Sequence, residues 1–189
     1  MSVPQQLPNL VKFFTAIRKP QREYLNFLAT VEGLTETKTV YELVTRSVAV
    51  FLARRPWEND PNWVWIRPQT YYQQINGERH PNGDWMSFNC KLGDISSADG
   101  GIIRSKDLVK ALDKLAENVV VPWLTAQGLL THGKGQNATY YTIIVWMLTE
   151  LYPETVYRRP KAQLATVNMG DLDLSIKSLA TKSRRTTHA

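Results

Sequence analysis

Cysteine is almost absent from this sequence, which has a single one, Cys90, in 189 residues. A lone thiol closes no internal disulfide, which suits a reducing compartment. Cys90 stands in Met86-x-Phe88-x-Cys90, and that alternation reads it as a small buried hydrophobe rather than a nucleophile. Histidine is scarce too: His80, His132 and His188 are far apart, and none has a ligand or catalytic partner at a recognisable spacing. A structural zinc site and any other cofactor are therefore not expected. General acid–base catalysis needs a histidine or paired carboxylates in a cleft. Asp171 and Asp173 are the nearest approach to a pair, and they read as exposed tail residues. A non-catalytic protein is expected. Long apolar runs are missing as well. The longest, from Tyr140 to Leu148, falls far short of the roughly 20 residues that a bilayer demands. Pro8, Lys12 and Arg18 interrupt any secretory hydrophobic region at the start. A cytoplasmic protein with no membrane contact is the expectation.

What is present is an apolar content of 43% and a positive excess, 23 Lys/Arg against 17 Asp/Glu. The apolar share is ample for a core. The charge is uneven. Residues 1–56 carry eight basic and four acidic side chains, and residues 153–189 carry seven and three. Residues 57–100 reverse this, with three and six. Basic ends around a near-neutral middle favour a polyanionic partner.

The patterning predicts an α+β protein, mostly helical, in three portions: 1–56, 57–152 and 153–189. Three helices are expected in the first. Leu10, Phe13, Phe14 and Ile17 share one helical face up to Pro20. Tyr24, Phe27, Leu28 and Val31 form the next stripe, closed by Gly33. Thr39-Val40-Tyr41-Glu42 fits a capping box, followed by Leu43, Val44, Ser47, Val48, Phe51 and Leu52 at helical spacing, and Pro56 stops it. Residues 57–100 hold four of the six tryptophans and read as β structure. Trp63 to Ile66 suits a strand covered on both faces. Asn76-Gly77 and Asn82-Gly83 mark turns, and Asp84 to Cys90 alternates. Trp63, Trp65, Tyr71, Tyr72 and Trp85 suit base stacking, but their segment is net acidic, so they read mainly as core. A helix carrying Leu108, Ala111, Leu112, Leu115 and Ala116 begins at Ser105, and Pro122 restarts or kinks the chain. Leu129 to His132 and Ala138 to Ile143 are expected as two strands around a tight tip, Gly133 to Asn137. A short helix from Ile143 to Leu151 ends at Pro153. The basic tail, 153–189, is expected to be partly disordered, with its remaining apolar residues able to dock.

The block 105–143, with its paired helices and basic glycine-rich tip Gly133-Lys134-Gly135, resembles a winged helix-turn-helix domain. The resemblance implies double-stranded DNA binding, as a transcriptional regulator or a replication or mobile-element factor. One helix would enter the major groove and the wing would touch a neighbouring phosphate. The site residues implied are Arg104, Lys106, Lys110, Lys114, His132, Lys134, Gln136 and Asn137. Lys182, Arg184 and Arg185 of the tail would add backbone contacts. Gly133-Lys134-Gly135 lacks the spacing of a nucleotide-binding phosphate loop. The rival expectation is a non-catalytic adaptor in a larger assembly, meeting a homodimer or protein partner through the first helices or the tail.

Overall fold

A computed structural model describes residues 8–31, 36–129, 134–157, 172 and 174. The fold is α+β and mostly helical. Strand β1 (Val11–Arg18) leads directly into helix α1 (Lys19–Val31), then α2 (Glu36–Arg54) and the single turn α3 (Pro56–Asn59). An extended stretch through the tryptophans reaches the hairpin β2 (Tyr72–Ile75) and β3 (Glu78–Pro81). Strand β4 (Trp85–Leu92) follows, then the short pair β5 (Ile95–Ser96) and β6 (Ile102–Ile103). Helices α4 (Ser105–Leu115), α5 (Val121–Ala126), α6 (Gln136–Trp146) and α7 (Glu154–Tyr157) complete it.

Helix α2 sits at the centre, with Leu43, Val44, Val48, Ala49 and Phe51 fully enclosed. Its two buried hydroxyls remain satisfied. Ser47 donates to the Leu43 carbonyl, and Thr45 donates to Tyr41 O while accepting from Gly93 N at 3.2 Å. The helix forms along its predicted stripe and stops before Pro56, but it begins at Glu36, so Thr39 lies within it rather than at its cap; helix α1 also forms where its stripe predicts.

The first expected helix is a strand. β1 pairs antiparallel with β4, in the register Phe13↔Cys90, Thr15↔Phe88 and Ile17↔Met86 on the inner face. Phe13 and Ile17 are spaced four apart, which satisfies a helical face and an alternating strand equally. The β-branched and aromatic content of Val11, Phe13, Phe14, Thr15 and Ile17 favours the strand, and β4 supplies the ladder.

The second correction concerns Ala138 to Ile143, expected as the returning strand of a wing. It lies within α6, which continues through a π-helical stretch, Met147–Leu151. Tyr140, Tyr141, Ile143, Ile144, Trp146 and Met147 are all buried. A helix enclosed all round has no polar face to mark its period. Thr139, Thr142 and Thr149 tolerate helical geometry because each hydroxyl donates to the carbonyl four residues back.

The third concerns Pro122, which does not restart the chain. Residues 105–126 form one continuous helix that widens to π geometry over Ala116–Val120. Proline has no N–H to give and its ring crowds the carbonyl of residue i−4, here Asn118; the wider turn absorbs both problems.

Trp63 to Ile66 is extended but pairs with no strand. Trp65 is buried, while Val64 is 53% exposed. Phe51, Trp57, Trp63, Trp65 and Trp146 form one aromatic cluster with ring centroids 5.1–6.2 Å apart. Segments far apart in the sequence interlock. Phe13 stacks on Tyr140 at 4.3 Å, and the Tyr24 hydroxyl donates to the Tyr152 carbonyl. Leu172 and Leu174 of the tail pack against the core, so part of the tail docks.

Candidate functional site

The β1–β4 ribbon has an outer face as well as an inner one. Lys12 stands opposite Lys91, and Phe14 opposite Asn89. Phe14 is 38% exposed, with no ring contact to another aromatic among the described residues. Its neighbour Asn89 offers no apolar cover. Two lysines directly across a ladder repel one another, and the repulsion falls when an anion sits between them.

A cleft of about 300 Å³ opens on this face. Phe14 and Ala16 contribute from the strand, Arg67 to Tyr72 from the extended stretch, and Lys134 to Ala138 from the start of α6. The volume lies at the low end of the roughly 300–1,000 Å³ usual for ligand sites. Among the described residues Arg67 and Lys134 are its charges, and no carboxylate lines it. Arg67 donates through Nη1 to the Leu129 carbonyl, which ties the stretch to the end of α5. Among the described residues Lys12, Lys91 and Lys134 have no ion-pair partner.

Two local features set the cleft wall. Asn82 Nδ2 donates to the Thr70 carbonyl at 2.8 Å, and Thr70 Oγ1 donates to Tyr72 O at 2.8 Å, so the loop before β2 is laced to the hairpin. Tyr71 and Tyr72 meet edge-on at 5.1 Å, and the Arg79 guanidinium covers the Tyr72 ring at 4.1 Å. Gly135 forms the other wall. It caps α6 in the left-handed region at φ +70°, and a β-carbon there would stand 2.7 Å from Val121 Cγ2. Only glycine lets the chain pass this close to the preceding helix and then turn into α6.

The structure brings three of the expected site residues together: Lys134, Gln136 and Asn137 all line the cleft. They do so as a helix entry, not a hairpin tip. Gln136 Nε2 also donates to Asp113 Oδ1 at 3.0 Å, which fixes α6 to α4. Lys106, Lys110 and Lys114 remain on the outer side of α4 and do not line the cleft. Lys114 pairs with Glu117 at 3.4 Å, three residues on, and Asp113 accepts from Gln136. Arg104 is bound to Asp94 at 3.2 Å. Asp94 is buried, and burial alone would raise its pKa. The Ser105 backbone N–H at 2.9 Å, Asn9 Nδ2 at 2.8 Å and the Arg104 guanidinium outweigh burial and hold it below the ordinary carboxylate value. His132, Lys182, Arg184 and Arg185 lie outside the described residues.

Phe14, Arg67, Tyr71 and the Lys12–Lys91 rung were not among the expected site residues. The exposed aromatic opposite asparagine and the like-charged rung become signals only once the β1–β4 register is known. Elsewhere, burial pushes the Cys90 thiol up to about 12, as suits a core residue. Among the described residues no group of three His, Cys, Asp or Glu gathers as metal ligands, and no helix is long and apolar enough to cross a membrane. Comparisons with protein-family models, curated proteins and solved structures returned no match.

Proposed function

We propose that the protein binds nucleic acid, holding the phosphate backbone along the outer face of the β1–β4 ribbon and across the cleft. The observation that carries this reading is a cleft with two cations, Arg67 and Lys134, and no carboxylate among the described residues of its lining. The Lys12–Lys91 rung extends the positive surface along the same face. Uncompensated cations gain free energy by releasing the counterions of a polyanion. Asn137 and Gln69 add amide donors at the rim, of the kind that bond phosphate oxygens.

The net acidity of residues 57–100 opposes this less than its sum suggests, because three of its six carboxylates are paired with arginines from outside the segment. Asp84 pairs with Arg18 at 2.8 Å, Glu58 with Arg55, and Asp94 with Arg104 and Ser105. The sequence resemblance points to duplex DNA read by a wing at 129–143. That pointer weakens because the returning strand is a helix, and the electrostatic argument stands without it. A projecting hairpin does exist, β2–β3, whose principal contacts are within itself. It presents Arg79 beside the cleft.

The test is a salt series on random-sequence DNA, wild type beside Lys134→Ala. The expected result is affinity that falls linearly with log salt, with a slope shallower by about one in the variant. No binding at low salt would refute the reading and leave a protein adaptor as the alternative.

A further inference from the structure

Resting on the nucleic-acid reading above, we infer that the cleft is a slot for one unstacked nucleotide, so that the protein prefers single strands to duplex. A duplex presents phosphates on a convex surface and keeps its base faces covered by its own stacking. Readers of duplex therefore push a convex element into a groove. Here the cationic feature is concave. Phe14 lines it, 38% exposed and with no ring contact to another aromatic among the described residues, and Tyr71 lines it as well. An aromatic ring gains from a base only when that base is free of its stack.

The geometry has a consistent order across the slot. The Tyr72 ring is covered on one side by Arg79, which leaves Tyr71 and Phe14 as the stacking surfaces. Arg67 and Lys134 come from the two opposite walls, where the phosphates on either side of a flipped-in base would pass. Asn137 stands exposed in the first turn of α6, within the lining, where its amide can meet a base edge or sugar hydroxyl, while the Gln136 amide is held by Asp113. An amide can donate or accept, so this arrangement tolerates any base. Lys12 and Lys91, on the same ribbon face, continue the track for the strand beyond the slot.

The probe is a fluorescein-labelled oligothymidylate of about 12 nucleotides, within the usual footprint of such sites. Binding is read by anisotropy against the corresponding duplex and against an oligouridylate of the same length. The proteins are wild type, Phe14→Ala, Tyr71→Ala and Tyr71→Phe, each checked for an unchanged circular dichroism spectrum. The expected result is tighter binding of the single strand than of the duplex. Tyr71→Ala and Phe14→Ala should each weaken it roughly 5- to 150-fold, the range that follows from about 1–3 kcal/mol per stacked base. The salt slope should not change, and Tyr71→Phe should bind as wild type because the ring is kept. The tighter of the deoxy and ribo strands names the source of the nucleotide. Equal binding of duplex and single strand, indifferent to both alanine variants, would overturn the slot and leave the electrostatic reading intact. No binding of any probe at low salt would overturn both.

Discussion

Replacing Gly135 by alanine separates the architecture described here from a solvent-exposed hairpin tip. Two costs add at this position. The left-handed backbone, φ +70°, costs a residue with a side chain about 1–2 kcal/mol. The new methyl would also stand 2.7 Å from Val121 Cγ2. Val121 is held in a helix, where a β-branched side chain has one strongly preferred rotamer and yields little. Overpacking of this kind costs about 1–3 kcal/mol. The sum is about 2–5 kcal/mol, which for a chain of this size lowers Tm by roughly 5–15 °C. Gly77→Ala is the control. It shares the positive φ, +80°, but nothing lies within 4 Å of its added β-carbon. The difference between the two variants isolates the steric part. Adding Val121→Ala to Gly135→Ala should recover about 1–3 kcal/mol relative to the sum of the single effects. The assay is thermal and urea denaturation followed by tryptophan fluorescence. If Gly135→Ala costs no more than Gly77→Ala, and Val121→Ala does not rescue it, the close passage of the α6 entry over α5 is wrong, and with it one wall of the cleft.

Asp94→Ala should destabilise by about 2–3 kcal/mol, since a charged acceptor and its hydrogen bonds to Ser105, Asn9 and Arg104 are lost together. Because the native Asp94 pKa is lowered, its contribution is complete above the ordinary carboxylate value and fades as pH falls through the lowered one. Acid titration of stability should therefore be shallower in Asp94→Asn than in wild type. Cys90 works in the opposite direction: its native thiol is raised to about 12. Its share of stability is intact below the ordinary thiol value of about 8.5 and declines as pH rises toward the native one. Cys90→Ala should flatten that alkaline decline, and native protein at neutral pH should resist iodoacetamide until denatured.

How much of this was legible depends on how far apart the partners lie in the chain. Helix α2 was readable because its stripe and stop are local, although it starts at Glu36, ahead of the expected cap at Thr39. β1 was not, because Phe13 and Ile17 fit both periods and the deciding partner, β4, begins some 67 residues beyond β1, at Trp85. α6 was misread because burial on every side removes the contrast on which periodicity depends. In the site, Lys134, Gln136 and Asn137 were found from the glycines around them in the sequence, although Gly135 builds a helix entry. Phe14 and Arg67 were missed because they meet only after the ribbon closes, and Tyr71, named as able to stack a base, was set aside as core on the net acidity of its segment. The net charge of residues 57–100 misled for a further reason. A sum over sequence counts Asp84 and Asp94 as surface negatives, whereas the fold ties one to Arg18 and shelters the other behind Ser105.

The interlock of β1 and α1 with α6 and the segment that follows it bears on how the protein comes into being. Phe13 lacks its stacking partner until Tyr140 exists, and Tyr24 lacks its acceptor until Tyr152 does. During synthesis the first two-thirds of the polypeptide would emerge with β1 and α1 missing part of their cover. Contacts of such long sequence separation are slow to form, because the loop between them must close first. A ribosome-bound chain halted before α6 should therefore remain protease-sensitive and apt to engage chaperones, and release of the last helices should convert it in one cooperative step.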